Sequence, residues 1–203
     1  MNMHVQPDTA VLRPARPADA RALAKLIDIA GEGIPHHLWS GMAQPDESPL
    51  DVGAARARRD EGGFSWRHAT VAESEGAVAG LMLGYPIEAP SAADRAAVPD
   101  LPAVIRPVVE LEHEVPGSFY VNALAVLPGR RDAGLGYRLM AAAEARAKAA
   151  GLERLSIQVF SQNAGAVRLY RRLGYVEADS RPVLDHPCQP YYDGRVLLLV
   201  KAV

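Results

Sequence analysis

An apolar run at residues 119–126 leads directly into a basic turn that contains glycines and opens a helix-like segment. The first amides of a helix have no partner within the helix and carry partial positive charge, so a turn of this kind can hold an anion. Gly134 and Gly136 let the main chain approach a phosphate closely because they lack a Cβ atom. Arg130 and Arg131 add formal positive charge. The sequence therefore predicts a strand, a phosphate-binding turn and a helix.

The glycine spacing excludes two common nucleotide-binding loops. The dinucleotide fingerprint needs a third glycine, and Leu139 stands at that position. A P-loop places Lys and then Ser or Thr after its last glycine, whereas Tyr137 and Arg138 follow Gly136 here. The phosphorylated ligand of this turn therefore belongs to another class.

Three residues of the turn follow a known family pattern. Arg131, Gly134 and Gly136 stand in the order Arg or Gln, two residues, Gly, one residue, Gly or Ala. With the preceding Leu-Ala-Val-Leu-Pro at 124–128, the segment resembles the fourth strand and pyrophosphate loop of the GNAT family of N-acetyltransferases. A simple helix-entry turn is the alternative for the two glycines.

A second segment, at residues 162–175, resembles the second cofactor-binding segment of the same family. That segment is a helix opened by Asn and closed by Leu-Tyr, Gly and an aromatic residue. Ser161 or Asn163 can cap the helix, and Gly174 stands where a left-handed residue ends it. Four apolar residues recur at helical spacing and predict one buried face. They are Ala166, Leu169, Tyr170 and Leu173.

Length and composition set the broad class. The chain has 203 residues, a net charge of −2 and one cysteine, which predicts one domain over 1–203 without an internal disulfide. The charge gives no reason to expect a nucleic-acid partner. The aliphatic run at 196–200 is too short to span a membrane, and the N-terminus does not resemble a signal peptide. We therefore expect a cytoplasmic protein without membrane association, and leave a homodimer open.

The hydrophobic periodicity predicts alternating strands and helices. Residues 31–50 read as irregular, and 86–117 as an insertion that prolines interrupt repeatedly. The pattern predicts a mixed α/β sheet covered by helices. The resemblance further implies a mostly antiparallel sheet whose fourth and fifth strands splay apart. The predicted strands cover 10–13, 66–73, 77–85, 119–126, 154–160 and 195–201. The predicted helices cover 17–30, 51–60, 103–111, 134–150 and 164–173.

The resemblance implies acetyl-CoA as co-substrate, with a cofactor-binding core at about 118–178 and no metal. The main chain of Leu124 and Val126 would bind the pantetheine arm, and Asn163 would lie near it, although a helix cap alone explains Asn163 equally well. The amides of six residues would bind the pyrophosphate. They are Arg131, Asp132, Ala133, Gly134, Leu135 and Gly136.

Acetyl transfer requires a neutral amine, a polarised thioester carbonyl and a proton for the leaving sulfur. Tyr170 matches the family position whose tyrosine protonates the thiolate, although it also suits the core. The amide of Val126 is the expected carbonyl polariser. Neither role needs a covalent intermediate, and the one cysteine, Cys188, lies outside both motifs.

The general base is less well defined by the sequence. With a period of two, one face of the fourth strand carries Tyr120, Asn122, Leu124 and Val126, none of which is an acid or a histidine. Glu112 shares this face if the strand extends that far, against which Pro116 and Gly117 argue. Glu112 is therefore one candidate, and a water relayed by Asn122 or Tyr120 is the other.

The acceptor is expected to bind where the family varies, at residues 31–50, 86–117 and 179–193. Aromatic and acidic residues in these segments suit a cationic primary amine of a small molecule or peptide. The alternatives are another acyl-CoA, a hydroxyl acceptor, or an acyl-CoA-binding sensor without activity. His36, His37 and His186 are too scattered in sequence for a metal site.

Overall fold

The computed structural model describes residues 10–191 and 193–203, and in this part of the chain seven strands form one sheet. The strands are β1 (Val11–Pro14), β2 (Ala69–Ser74), β3 (Ala77–Pro86), β4 (Phe119–Val126), β5 (Arg154–Phe160), β6 (Val176–Pro182) and β7 (Arg195–Ala202). The helices are α1 (Ala20–Ala30), α2 (Ile34–Ser40), α3 (Pro49–Ala57), α4 (Ala92–Ala97), α5 (Arg106–Glu112), α6 (Leu135–Ala149) and α7 (Ala164–Arg172).

The sheet has the order β1-β2-β3-β4-β5-β7-β6. Only the central neighbours β4 and β5 run parallel, and every other pair is antiparallel. This arrangement confirms the mixed, mostly antiparallel α/β sheet that the sequence predicts. In the described residues, no helix has the length and apolar character needed to cross a membrane.

The two faces of the sheet have different cores. Helices α6 and α7 cover one face, where apolar side chains from both helices and from most strands form one continuous core. The opposite face carries α1–α3 at one end and α5 at the other. Its buried apolar side chains form two separate clusters, one around Leu23 and Leu81 and one around Leu111 and Leu198. We call this second side of the sheet the divided face.

The division follows the boundary between β4 and β5. These strands pair only through 119–121 and 155–157. Beyond Val121 and Ile157 the two strands separate, as the resemblance implies for the fourth and fifth strands. The separation leaves a slot in the middle of the sheet, which we call the β4–β5 slot.

A bulge in β4 changes which residues share a face. Ala123 pairs with Leu83 and Val121 pairs with Gly84, so Asn122 is one extra residue in β4. A bulge of this kind reverses the alternation of side chains beyond it. The prediction that Tyr120 shares a face with Leu124 and Val126 is therefore wrong. Leu124 and Val126 pack on the continuous core, whereas Tyr120 lies on the divided face.

Two elements differ from the prediction because their sequences carry weak signals. Residues 31–50 are not irregular throughout, since they contain the short helix α2, which buries Trp39 beside Gly53. The edge strand β6, Val176–Pro182, was not predicted, and its last residues begin the segment 179–193. Most side chains of β6 are exposed or half-buried, and so they lack the apolar alternation that predicts a strand.

The remaining differences are smaller. The segment predicted to begin a strand at residue 66 starts with one 3₁₀ turn, Trp66–His68, and β2 follows it. The insertion at 86–117 contains α4 in addition to a helix near the predicted 103–111. Ser91 and Asp94 form a capping box that starts α4.

Candidate active site

The turn before α6 presents unpaired main-chain amides. Gly134 has a φ of 78° and caps the helix, and Asp132 has a φ of 64°, which is unusual for a residue with a side chain. Among the described residues, none accepts a hydrogen bond from the amides of 132–134. Amides left free at the N-terminus of a 15-residue helix form a site for an anion.

The second glycine of the turn and its two arginines make different contacts. A Cβ atom on Gly136 would stand 3.2 Å from Leu169 of α7, so the second glycine allows α6 and α7 to pack closely. Arg130 forms an ion pair with Glu75. Arg131 is exposed and donates from Nε to the carbonyl of Val126 at 3.1 Å. Of the two arginines in the turn, only Arg131 thus has a charge without a carboxylate partner in the described structure.

The edge of β4 that faces the slot has main-chain groups without a strand partner. The amide of Leu127 donates to Ala79 of β3 at 2.9 Å. Because N–H and C=O groups alternate between the two edges of a strand, those of Val126 and Leu124 point to the β5 side. No residue of β5 pairs with either of them. This edge can bind an extended ligand as an added strand does.

Asn163 lies at the start of α7, close to this slot. Its Oδ1 accepts from the amide of Ala166 at 3.1 Å, so the predicted helix cap is present. Its Nδ2 donates to Glu32 at 2.8 Å. Both ends of the Asn163 amide are therefore engaged, and a ligand that needs Asn163 has to share it with Glu32.

Tyr170 belongs to the continuous core and is only 4% exposed. Burial raises the pKa of its hydroxyl well above the ordinary value, so the group remains protonated at neutral pH. Its ring lies 5.9 Å from the ring of Tyr175. The Tyr175 hydroxyl is fully enclosed and has no hydrogen-bond partner. The Tyr170 hydroxyl is not among the fully enclosed polar atoms of the described structure.

Glu112 reaches the divided face from α5, because it is the last residue of that helix. Strand β4 does not extend to Glu112, because Pro116 and Gly117 separate the two elements, as their backbone preferences suggest. Burial raises the pKa of Glu112 to about 7. In the described part of the chain, no residue donates a hydrogen bond to its carboxylate.

The surroundings of Glu112 place it beside the slot. Burial raises the pKa of Tyr120 and of Tyr85, and the negative charge of Glu112 raises both further, so the carboxylate lies near both hydroxyls. The Tyr85 and Tyr120 rings meet edge to face, 6.1 Å apart. Asn122, the bulge residue, interacts with the Tyr85 hydroxyl. A carboxylate with a near-neutral pKa thus stands next to the point where β4 and β5 separate.

Glu32 is a second half-buried carboxylate, which the sequence analysis missed. It follows α1, and its φ of 54° is left-handed. Asn163 and the Tyr191 hydroxyl, at 3.5 Å, both donate to its Oε1. Burial raises the pKa of Glu32, and these two donors and the charge of Arg131 lower it less. The Gly-Glu-Gly sequence at 31–33 was the available signal, because an acid between two glycines marks an exposed turn that can reach a ligand.

The three segments expected to bind the acceptor meet at the divided face. The first supplies Glu32, the second Glu112 and the third Tyr191, whose ring lies 5.2 Å from Phe160 at the end of β5. His37 and His186, scattered in sequence, also meet, with ring centroids 4.5 Å apart. Across the described ranges, no group of three or more His, Cys, Asp or Glu side chains could hold a metal ion.

Comparison with known proteins gives one family match. Residues 36–175 match the model of the acetyltransferase (GNAT) family. No curated protein matches the chain by sequence. The matched region contains β4, the turn before α6, and α7, and so covers the slot and the anion site described above.

Solved structures with the same fold include three acetyltransferase structures of low identity. A variant of agmatine N-acetyltransferase in its apo form is 20% identical, with a TM-score of 0.68 and coverage of 97% of this chain and 100% of that one. The polyamine N-acetyltransferase of Drosophila melanogaster, which forms N-acetylagmatine, is 19% identical, with a TM-score of 0.68 and coverage of 96% and 100%. The yncA protein of Salmonella typhimurium, solved with acetyl-CoA, is 16% identical, with a TM-score of 0.59 and coverage of 96% and 94%.

Proposed function

The chain belongs to the GNAT family of acetyltransferases, and we propose that it transfers the acetyl group of acetyl-CoA directly to a primary amine of a small molecule or peptide. The observation that supports this most strongly is the β4–β5 slot, with main-chain groups that no strand pairs on one edge and free amides at its end. An extended amide-containing arm fits the edge, and a pyrophosphate fits the amides.

Each part of the proposed cofactor site matches one part of acetyl-CoA. Leu124 and Val126 would pair with the amides of the pantetheine arm through their main chain. The turn 131–136 would hold the pyrophosphate, and Arg131 would exchange its bond to Val126 for a phosphate oxygen. Asn163 would lie beside the arm while it still caps α7.

Glu112 is the proposed general base. A base is most effective when its pKa lies near the working pH, and the pKa of Glu112 is about 7. In its charged form it would take the proton of the acceptor ammonium, directly or through a water beside Tyr120 or Asn122. The amine nitrogen would then bond to the thioester carbonyl carbon and lose its second proton to water. The carbon–sulfur bond would break with its electron pair on the sulfur.

Tyr170 is the proposed acid for the leaving sulfur. Its raised pKa keeps the hydroxyl protonated until the sulfur takes the electron pair of the broken bond. The proton of Tyr170 then passes to the thiolate, and the tyrosine regains a proton from solvent. With Glu112 on the divided face and Tyr170 in the continuous core, the proposed base and acid approach from opposite sides of the sheet.

The proposed acceptor is a cationic amine. Two of the structural neighbours are an agmatine N-acetyltransferase and a polyamine N-acetyltransferase. The half-buried carboxylates Glu32 and Glu112 of this chain also favour a positively charged ligand over a neutral or anionic one. An acceptor screen with polyamines, amino acids, aminoglycosides and peptide amines tests this part of the proposal.

The test is release of free thiol from acetyl-CoA together with mass spectrometry of the acceptor. Amine-dependent thiol release and an acceptor heavier by one acetyl group are expected. Binding of CoA without turnover across the screen would instead favour an acyl-CoA-binding sensor. Faster turnover with a longer acyl-CoA would replace acetyl-CoA as the donor. An O-acetylated product would replace the amine with a hydroxyl group as the acceptor.

A further inference from the structure

Glu32 has no assigned part in the transfer steps, yet its surroundings are those of a ligand-binding carboxylate. A left-handed conformation is unfavourable for a residue with a side chain, and such residues concentrate at functional sites. A half-buried carboxylate also loses hydration, which hydrogen bonds or a cation must replace. Within the described structure, Glu32 forms no ion pair with any Lys, Arg or His side chain.

The hydrogen bonds of Glu32 leave half of its carboxylate available. Both donors, Asn163 and Tyr191, bond to Oε1. No described residue bonds to Oε2, and this atom is not among the fully enclosed polar atoms. A carboxylate can accept about four hydrogen bonds, so Oε2 retains full capacity for an ammonium or guanidinium donor.

Glu32 lies beside segments that are expected to bind the acceptor, and not only beside Asn163 of the proposed donor site. Asn163 follows the end of β5, and the Tyr191 ring packs at a tilt against Phe160, the last residue of that strand. Glu112, by contrast, lies near Tyr120, which pairs with Ser156 of β5. Ser156 and Phe160 are four residues apart, so the β5 residues next to the neighbours of the two carboxylates lie about 13 Å apart.

We propose that Glu32 binds a second cationic group of the acceptor, and that the substrate is a small diamine, polyamine or guanidino-amine. This inference rests on the proposed acetyl transfer. The reacting amine lies beside Glu112, and the distal cation lies against Oε2 of Glu32. The nearby Arg131 donates to Val126 and is proposed to bind the pyrophosphate. The distal cation of the acceptor would therefore contact the Glu32 carboxylate rather than the Arg131 guanidinium.

The test compares diaminobutane and diaminooctane with aminobutane and aminooctane as acceptors. For Glu32→Gln we expect KM for the diamines to rise about tenfold, as for loss of one charge-assisted hydrogen bond, while kcat and KM for the monoamines change less than about twofold. Glu32→Asp retains the charge and should recover part of the diamine preference. Asp46→Asn, at an exposed carboxylate of the following loop, is the matched control.

Two outcomes would overturn the role of Glu32. An equal rise in KM for monoamines and diamines would show that Glu32 does not read the second charge. A loss of kcat with every acceptor would make it part of the transfer chemistry instead. Thermal unfolding of each variant separates both results from misfolding.

Calorimetric binding of diaminooctane to the wild type with CoA bound provides a readout that does not need turnover. If Glu32→Gln weakens diamine binding but neither the wild type nor any variant acetylates an acceptor, the proposed function is contradicted and the cation site is retained. If the wild type acetylates diamines and Glu32→Gln binds them as tightly as the wild type does, the cation site is contradicted and the proposed function is retained.

Discussion

The two faces of the central sheet differ in how their apolar cores are arranged and in the polar groups that they bury. The face under α6 and α7 has one continuous apolar core. The divided face has two apolar clusters. Tyr85 packs against the first of them, and Glu112, Tyr120 and Asn122 lie near Tyr85. Burying polar groups reduces stability unless they are fully hydrogen-bonded. Both faces bury apolar side chains, and the divided face also holds the buried polar groups that include the proposed general base, Glu112.

The strongest way to break this comparison is the change Glu112→Gln. Removing a general base lowers kcat about 10²- to 10⁴-fold, and we expect a loss in that range without a matching loss of folded protein. Steady-state kinetics with the best acceptor, together with circular dichroism, measure both quantities. Glu114→Gln is the control, because Glu114 is exposed two residues away. Full activity of Glu112→Gln would leave the relayed water as the route for the proton.

The titration of Glu112 predicts opposite effects of pH on activity and on stability. Its pKa rises from 4.5 in the unfolded chain to about 7 in the fold. Below pH 4.5 both states are protonated and Glu112 has no effect on stability. Between pH 4.5 and 7 the unfolded state loses its proton first, so the folded state loses up to about 3 kcal/mol. Activity should rise over this range as the base becomes charged.

Urea unfolding at pH 5 and pH 8 checks the stability part of this prediction. The wild type should lose more stability than Glu112→Gln between the two pH values. Parallel losses in both proteins would show that Glu112 is not the buried group that titrates. A pH–rate profile of kcat/KM for the wild type then checks whether activity follows the same titration.

On the continuous face, Leu139→Ala should reverse the pattern. Leu139 is fully buried in α6, and its loss leaves a cavity in the core, so we expect the free energy of unfolding to fall by about 2–5 kcal/mol. Turnover per folded molecule should stay within about twofold, as no reacting group changes. Leu184→Ala, at an exposed leucine, controls for the loss of a leucine elsewhere. A large drop in kcat at unchanged stability would contradict the division between the faces.

Tyr170→Phe sharpens the comparison, because this hydroxyl is the one reactive group proposed within the continuous core. We expect kcat to fall roughly 10- to 100-fold with CoA affinity unchanged, since only proton donation to the sulfur is lost. Tyr175→Phe is a close control, because its hydroxyl is buried without a partner and its ring lies 5.9 Å away. An equal effect in both variants would assign Tyr170 to packing.

Arg131→Ala has the smallest expected effect. Losing one phosphate contact at an exposed site should weaken CoA binding by about 3- to 10-fold and leave kcat at saturation unchanged. Arg130→Ala is the control, since Arg130 already pairs with Glu75. Isothermal titration with CoA measures both, and identical affinities in the two variants would argue against a phosphate contact by Arg131.

Local sequence signals predicted much of the fold and the donor half of the proposed site. The turn at 131–136 and the Asn163 cap depend on neighbouring residues, so a motif of a few positions describes them well. The strand and helix of the turn also have strong apolar patterns. These elements lie where sequence reasoning placed them within a few residues.

The acceptor half depends on contacts between residues far apart in the chain. Glu32 meets Asn163 across 131 residues, and no local pattern encodes that contact. Asn122 enters β4 as an extra residue, and a strict period of two assigns Tyr120 to the wrong face. Glu112 was named from strand parity, yet helix α5 carries it to the divided face. The positions of these acceptor-side residues therefore depend on long-range packing, which local sequence patterns do not encode.

The extra residue in β4 makes this strand sensitive to its length as well as to its composition. Deleting Asn122 would restore a regular alternation that keeps Phe119, Val121, Leu124 and Val126 on one face. It would remove the bulge residue that interacts with the Tyr85 hydroxyl. Many substitutions in β4 keep that count, whereas a single deletion does not. The number of residues in β4 therefore decides whether a side chain of this strand stands beside the Tyr85 hydroxyl.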